Sequence, residues 1–458
     1  MALAQSKDSN AASLFYPPWV TPPSGRPPLR KLLHYAKHNR LYLIPEEAYK
    51  LPILSIERIA GRSHMLLDPQ GIRRVFLDNV GNYSKSRQLL HAMRPIQHSV
   101  FSAHGENWRF QRGAVSPTFQ PRNLLTKIDQ SVEAAQDLVA RVEAGGEVVD
   151  FYPEMMLTAF DIICRMIAAN PQAIDAMGFM HAMEGYMAVA GRATVFDFLP
   201  APFLALKFNY LRTRHHWKVF HEIVETEVKA ALDGQPSSNF VRNLIDARDK
   251  NDNRSLSFLQ IRDNLLAFVV AGHETTALTL SWALLMLAHD QESQEKAREE
   301  VNETLAGSLD DIGDKLGRLP FCRQILDEAM RLYPPAPAIS RRAEADDELV
   351  GVKIRKGESI LIPISVIHRH QNYWDNPHAF WPDRFSGGHK FDRFLFIPFG
   401  AGPRICVGAS MAYMSMEVIL AALLAKFRFF PTDAMPQPVL LLTLRPRGGI
   451  PLKVERIR

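Results

Sequence analysis

Apolar and polar positions along this chain repeat mainly with the period of a helix, and one stretch stands apart. From Leu265 to Ala288 the only ionisable side chains are His273 and Glu274, which predicts a helix buried on all sides. Ser257 with Gln260 three residues later predicts its capping box, and a helix from there to His289 would span about 48 Å. A membrane span has the same composition, but a carboxylate near its middle costs roughly 2.5 to 3.5 kcal/mol in lipid. No second stretch of that kind is expected, which favours a central helix surrounded by other helices. Further helices are predicted near 69–77, at about 122–143, 151–168, 172–190 and 206–232, after Pro320, and after Gly408. Strand-like patterns are fewer. They occupy parts of 41–66, then Val350, Val352 and Ile354 in alternation, Ser359–Ile362 after the turn at Gly357, and 439–457. The expected fold is mostly α with a small β region.

Three stretches have neither period. Pro17, Pro18, Pro22, Pro23, Pro27 and Pro28 make residues 1–40 an extended proline-rich lead-in. Tyr83 to Pro95 is irregular. Thr194 to Leu204 is too apolar for an ordinary solvent loop, and reads either as a mobile lid over a greasy pocket or as a loop packed on the core.

Composition narrows the classes. The 458 residues would allow about three domains, yet no linker-like segment interrupts them. With 47% apolar and 22% charged residues the chain can bury a large core. Cys164, Cys322 and Cys406 lie too far apart for a disulfide framework or a local zinc motif, and suit a reducing cytosol. A net charge of +5 without a Lys/Arg run gives no sign of nucleic-acid binding and predicts a basic patch for an acidic protein partner. Met1 to Asn10 is polar, without a signal-peptide core or anchor helix, so a soluble, cytoplasmic monomer is expected.

Chemistry concentrates in Phe399-Gly400-Ala401-Gly402-Pro403-Arg404-Ile405-Cys406-Val407-Gly408. Its glycines let backbone pass close to a flat ligand, and Pro403 stiffens the loop. Cys406 falls at the amino end of an apolar helix, where free N–H groups and the helix dipole favour a thiolate. An iron ligand and a buried structural cysteine are the two readings. Cys164 and Cys322 sit in apolar helical segments, as small core residues. Trp108 and Arg112 share a helix face and suit a carboxylate partner. In the central helix, Ala271-Gly272-His273-Glu274-Thr275-Thr276 runs against helix propensity, which marks either function or a polar notch facing another helix. Glu328 and Arg331, by themselves, read as a surface pair worth a few tenths of a kcal/mol.

Together, Phe399, Gly400, Arg404, Cys406 and Gly408 resemble the haem-binding loop of the cytochrome P450 family, and the other three motifs follow that family's order and nearly its spacing from about Leu41 to the end. The resemblance implies the cytochrome P450 fold, a long central helix over a buried haem b, as one domain over 41–458. It implies Cys406 as the metal ligand, with Phe399, Gly400, Ala271 and Gly272 against the cofactor. Trp108, Arg112, Arg341 and Arg404 would bind the haem propionates, with His104 a further candidate and Arg342 the alternative to Arg341. Glu328 and Arg331 would join Arg384 in a buried ion network behind the cysteine loop. Gly272 would leave room for dioxygen, Thr275 would bond its distal oxygen, and Glu274 would help relay protons. Phe196, Ala267, Ala271 and Ile339 would line a pocket for an apolar substrate such as a fatty acid, terpenoid, steroid or aromatic hydrocarbon. The Ala-Gly-His-Glu-Thr-Thr form is most similar to long-chain members, including fatty-acid hydroxylases.

The implied reaction is monooxygenation, with one oxygen atom of dioxygen entering the substrate and the other leaving as water. The chain ends at Arg458, soon after Cys406, so electrons are expected from a separate ferredoxin and its NAD(P)H-dependent ferredoxin reductase. A hydrogen-peroxide-dependent peroxygenase is one alternative, against which Glu274 and Thr275 argue. A non-catalytic haem-binding electron carrier or sensor is another.

Overall fold

The computed structural model describes residues 14–457 except 26, 59–60, 87–88, 91–92, 126, 169–173, 191–201, 306–308, 310–311, 316 and 388–390. Its axis is the central helix, Phe258–His289. The capping box forms with both halves: Gln260 N donates to Ser257 Oγ at 3.3 Å, and Ser257 N donates to Gln260 Oε1 at 2.9 Å. Every residue from Ala277 to Ala288 is buried, as an all-apolar helix surface requires. Helices Phe151–Ile167, Pro202–Leu232, Pro320–Leu332 and Ala409–Lys426 pack around it.

The strands are β1 (Ile53–Arg58), β2 (Gly61–Leu66), β3 (Tyr83–Lys85), β4 (Val148–Asp150), β5 (Ile339–Ala343), β6 (Asp347–Leu349), β7 (Val352–Ile354), β8 (Ser359–Ile362), β9 (Phe427–Pro431), β10 (Gln437–Leu440), β11 (Leu444–Arg447) and β12 (Pro451–Arg456). Five form one sheet in the order β1-β2-β8-β5-β3, and β4-β12-β9 form a second. β3 lies antiparallel to β5 in a register that sets Lys85 opposite Arg341. β10 and β11 form a hairpin whose base is clamped by Asn39, which donates to Pro438 O at 2.9 Å and accepts from Leu440 N at 3.0 Å.

Three expectations change. Residues 1–40 are not extended throughout, because Leu29–His38 is a helix; Leu29, Leu32, Leu33 and Ala36 recur at helical spacing once Pro28 has set its start. Upstream, Phe15 stacks on His289 at 4.4 Å and the Trp19 indole N–H donates to the Tyr49 hydroxyl at 3.1 Å, so this segment is docked on the core. The helix expected at 206–232 starts earlier, at Pro202, a residue whose missing N–H suits a first turn. Finally, among the described residues one helix is long and apolar enough to cross a membrane, and it is Ala409–Lys426, not the central helix. Met414 to Leu424 is buried without a break beneath the cysteine loop, so its apolar surface is spent on the core.

Candidate active site

The cysteine loop is held by its own backbone. Gly400 and Gly402 have φ of 73° and 71°, left-handed values that favour glycine, and a Cβ on Gly402 would collide with the carbonyl oxygen of Phe76. Cys406 N donates to Phe399 O at 3.0 Å, which closes the loop. Gly408 is the N-cap of Ala409–Lys426, so Cys406 stands at the helix entrance as the sequence predicted. Cys406 is exposed, unlike Cys164 and Cys322. Burial pushes its thiol up, against the Gly408 N–H and the Arg112 guanidinium, which pull it down. A bound metal cation at the sulfur would favour the thiolate.

The wall of this opening leads to the central helix. The Phe119 ring comes within 3.9 Å of the position a Cβ on Gly408 would take, and packs tilted against Phe268 with ring centroids 4.9 Å apart. Phe268, Ala271, Gly272 and Thr275 share one helix face, and all four are at least partly exposed in a helix otherwise largely buried. Ala271 is the most open of these positions. Ile339 closes another side, its Cδ1 3.5 Å from where a Gly400 Cβ would be. Ala267 is buried, and Phe268 occupies the pocket-facing position instead. Phe196 lies outside the described residues.

A cluster of cations adjoins the loop. The Arg404 guanidinium lies 4.6 Å from the Trp108 ring centroid and donates twice to Ala103 O at 3.1 Å. Lys85, which the sequence reading missed, faces Arg341 across β3 and β5, and like charges directly opposite in a sheet repel. Burial, with Arg404 and Arg341 beside it, pushes the Lys85 ammonium down to about 7. Burial and Arg404 push Arg341 down to about 10, and burial, Lys85 and Arg404 lower His104. Arg342 points elsewhere and pairs with Glu344 at 3.7 Å. Among the described residues, Lys85, Arg112, Arg341 and Arg404 form no ion pair. Anions placed between its members would relieve this repulsion. One open sulfur beside it and an apolar slot against a helix complete a donor set that fits haem b, with two propionates for the cations and Cys406 for the iron.

Behind the loop, Glu328 is fully buried. It accepts from Arg331 Nε at 2.6 Å and Nη2 at 2.8 Å, from Arg384 Nε at 3.0 Å and from Trp381 N at 2.9 Å. Burial pushes its carboxyl up, but the two guanidiniums prevail and hold it low. The pair that looked superficial from spacing alone is thus internal, and its reach is wider than three residues. Arg331 donates to His368 O at 2.7 Å, and His368 Nε2 in turn accepts from Ile397 N at 3.0 Å, just before the cysteine loop.

Burial and the Arg331 charge push the His368 imidazole down to about 3. The unfolded chain takes up this proton near pH 6.5 and the folded chain only near pH 3, so stability is complete above pH 6.5 and falls as pH drops below it. Between pH 6.5 and 4.5 the loss from this one group is about 2 to 3 kcal/mol. Chemical unfolding of His368→Gln should show a flatter dependence over that window; a slope equal to the parent's would remove His368 from the account.

Two residues of the central helix acquire neighbours that the sequence does not show. A Cβ on Gly272 would meet Ile163 Cδ1 at 2.6 Å, so the missing side chain allows close packing against Phe151–Ile167. The Glu274 carboxylate is held by the terminal hairpin: Oε1 accepts from Thr443 Oγ1 at 2.7 Å and Arg445 Nε at 2.6 Å. No spacing in the sequence links Arg445 to Glu274. Thr275 Oγ1 donates to Ala271 O at 2.8 Å, the bond one turn back that the sequence predicts.

Comparison with known proteins gives the family. The family model described as Cytochrome P450 matches residues 20–453. A protein named cytokinin hydroxylase from Arabidopsis thaliana is 32% identical over 373 residues, covering 78% of this chain and 71% of that protein. Cytochrome P450 3A41 from Mus musculus is 27% identical over 412 residues, covering 85% and 82%.

Proposed function

This chain belongs to the cytochrome P450 family and is a haem-thiolate monooxygenase, and from that premise we propose that it hydroxylates or epoxidises an apolar small molecule, with Thr275 and Glu274 handling the protons. The observation that carries the reading is the partly open face of the central helix at Phe268, Ala271, Gly272 and Thr275, where apolar Phe268 and Ala271 lie beside the hydroxyl of Thr275. Apolar walls with few polar groups select a hydrophobic ligand. A relative named as a hydroxylase supports insertion of oxygen over rearrangement.

Haem b, when bound, supplies activation of dioxygen and transfer of one oxygen atom. The protein's residues do the rest. Cys406 gives the iron a soft donor in a fixed loop. Lys85, Trp108, Arg112, Arg341 and Arg404 anchor the propionate edge, with His104 at the cluster's margin. Phe119, Phe268 and Ile339 exclude water and orient the substrate. Thr275, whose hydrogen is engaged with Ala271 O, keeps its oxygen free to accept and can pass on a proton that Glu274 supplies. Electrons are assigned to a separate, acidic ferredoxin with its NAD(P)H-dependent reductase, a partner suited to the chain's net charge of +5. A cytoplasmic monomer belongs to the same reading, and cell fractionation with sedimentation checks it.

Thr275→Ala tests the proton role. Binding of substrate and acceptance of electrons do not use the hydroxyl, so NAD(P)H consumption should continue. Product per NAD(P)H should fall and hydrogen peroxide should rise. A loss of about 2 to 3 kcal/mol slows the affected step roughly 30- to 150-fold. Unchanged coupling would make the notch structural, and sustained turnover of the parent on hydrogen peroxide alone would favour a peroxygenase.

A further inference from the structure

The irregular loop from Gln97 to Ala103 touches the cation cluster at two points. Ala103 O accepts both bonds from Arg404, and the Phe101 ring centroid lies 4.9 Å from Lys85 Nζ. Helix Gly105–Val115, which carries Trp108 and Arg112, follows directly. We propose that Asp263 and Asn264 of the central helix are positioning residues for the haem-anchoring edge: they hold this loop, and through it set where Arg404 and Lys85 stand. Their role rests on the reading of that cluster as the propionate site.

A loop has no ladder to take up its N–H groups, so a side chain that accepts from them fixes its course. His98 N donates to Asp263 Oδ2 at 2.9 Å, and Val100 N donates to Asn264 Oδ1 at 2.9 Å. Both acceptors are fully buried, so water cannot replace them if they are lost. Each is itself held. Arg262 donates to Asp263 Oδ1 from Nε at 2.9 Å and from Nη2 at 2.8 Å. Asn264 Nδ2 donates to Gln260 O and to Gln111 Oε1, both at 2.8 Å. Gln111 is the neighbour of Arg112 on Gly105–Val115. One amide of the central helix therefore fastens both the loop and the helix that follows it.

The loop's own turns do not supply this. Ser99 N donates to Ile96 O, and Ser102 N and Ala103 N donate to Ser99 O, which curls the loop without fixing it to a helix. The stretch just before it is tied to Pro202–Leu232, where His221 Nε2 donates to Pro95 O at 3.1 Å. One turn further on, Glu225 accepts from Arg262 Nη1 at 3.0 Å. Asp263 and Asn264 thus stand where the loop, the central helix and two flanking helices meet.

Two measurements on haem-loaded protein test the role. Transfer of haem to excess apomyoglobin, followed by absorption, reads the hold on the cofactor, and the propionate bending bands of the resonance Raman spectrum read the cation contacts. Asn264→Leu should raise the rate of haem loss about tenfold and move the propionate bands in the direction in which Arg404→Leu moves them. Asp263→Asn keeps an acceptor for His98 N and should stay within about twofold of the parent, whereas Asp263→Leu should not. Added to Arg404→Leu, Asn264→Leu should raise haem loss less than about threefold further, because both act on one contact. Asn264→Ser, too short to reach Val100 N, decides the matter if Asn264→Leu does not fold. A variant that melts earlier but keeps the parent's propionate bands and its rate of haem loss would make the pair merely structural, as would full multiplication of the two effects in the double variant. If Arg404→Leu itself changes neither rate nor bands, the propionate reading falls and this role with it; amide exchange at His98 and Val100, faster in Asn264→Leu than in the parent, would still report that the pair holds the loop.

Discussion

Glu328→Ala should leave almost no soluble haem protein. The carboxylate receives four hydrogen bonds, three of them from guanidiniums that are at most 5% exposed. Truncation leaves two buried positive charges without an anion, at a cost of roughly 3 to 5 kcal/mol. A typical domain has only about 5 to 15 kcal/mol in total, so that loss removes much of the reserve. The carbonyls of His368, Pro377 and Ala379 still accept from Arg331, but they carry no net charge. Damage should also reach the cysteine loop through His368 and Ile397. Soluble yield, haem per protein and melting temperature check this. Glu328→Gln, which keeps the shape and two acceptor sites, should fall between. A Glu328→Ala protein that loads haem and melts like the parent would show that the network does not support the loop.

Cys406→Ser should abolish turnover while sparing the fold. The loop is closed by the Cys406 N to Phe399 O bond and by Gly400 and Gly402, none of which needs sulfur. What disappears is the soft, electron-rich donor to iron. Neither Cys164 nor Cys322 can replace it. Both are buried in helices, and burial pushes each thiol well up. Loss of the thiolate's contribution to oxygen activation should lower turnover at least about a thousandfold, or about 4 kcal/mol in the barrier. Product formation measured beside the melting temperature checks both halves. A serine variant that keeps turnover would displace Cys406 from the iron.

Elements with one dominant local cause were legible in the sequence. The central helix was, because its capping box and unbroken apolar surface agree. The cysteine loop was, because glycine at two left-handed positions leaves a local trace. What depends on distant segments left none. Lys85 becomes a site residue only when β3 pairs with β5 in the observed register. Arg445 reaches Glu274 across 171 positions. The burial of Glu328 and Arg331 was equally invisible, since their spacing is that of any surface pair until residues 368–384 fold over them. The packing of Gly272 against Ile163 left no trace either, because periodicity does not say which helix will pack there.

The most direct test of a haem-thiolate centre at Cys406 is the absorption spectrum of the reduced protein under carbon monoxide. The parent should show the red-shifted band that thiolate donation produces, and Cys406→His, loaded with haem to the same extent, should show the band of a nitrogen-ligated haem. A parent spectrum without the red-shifted band, or a histidine variant that retains it, would contradict the assignment.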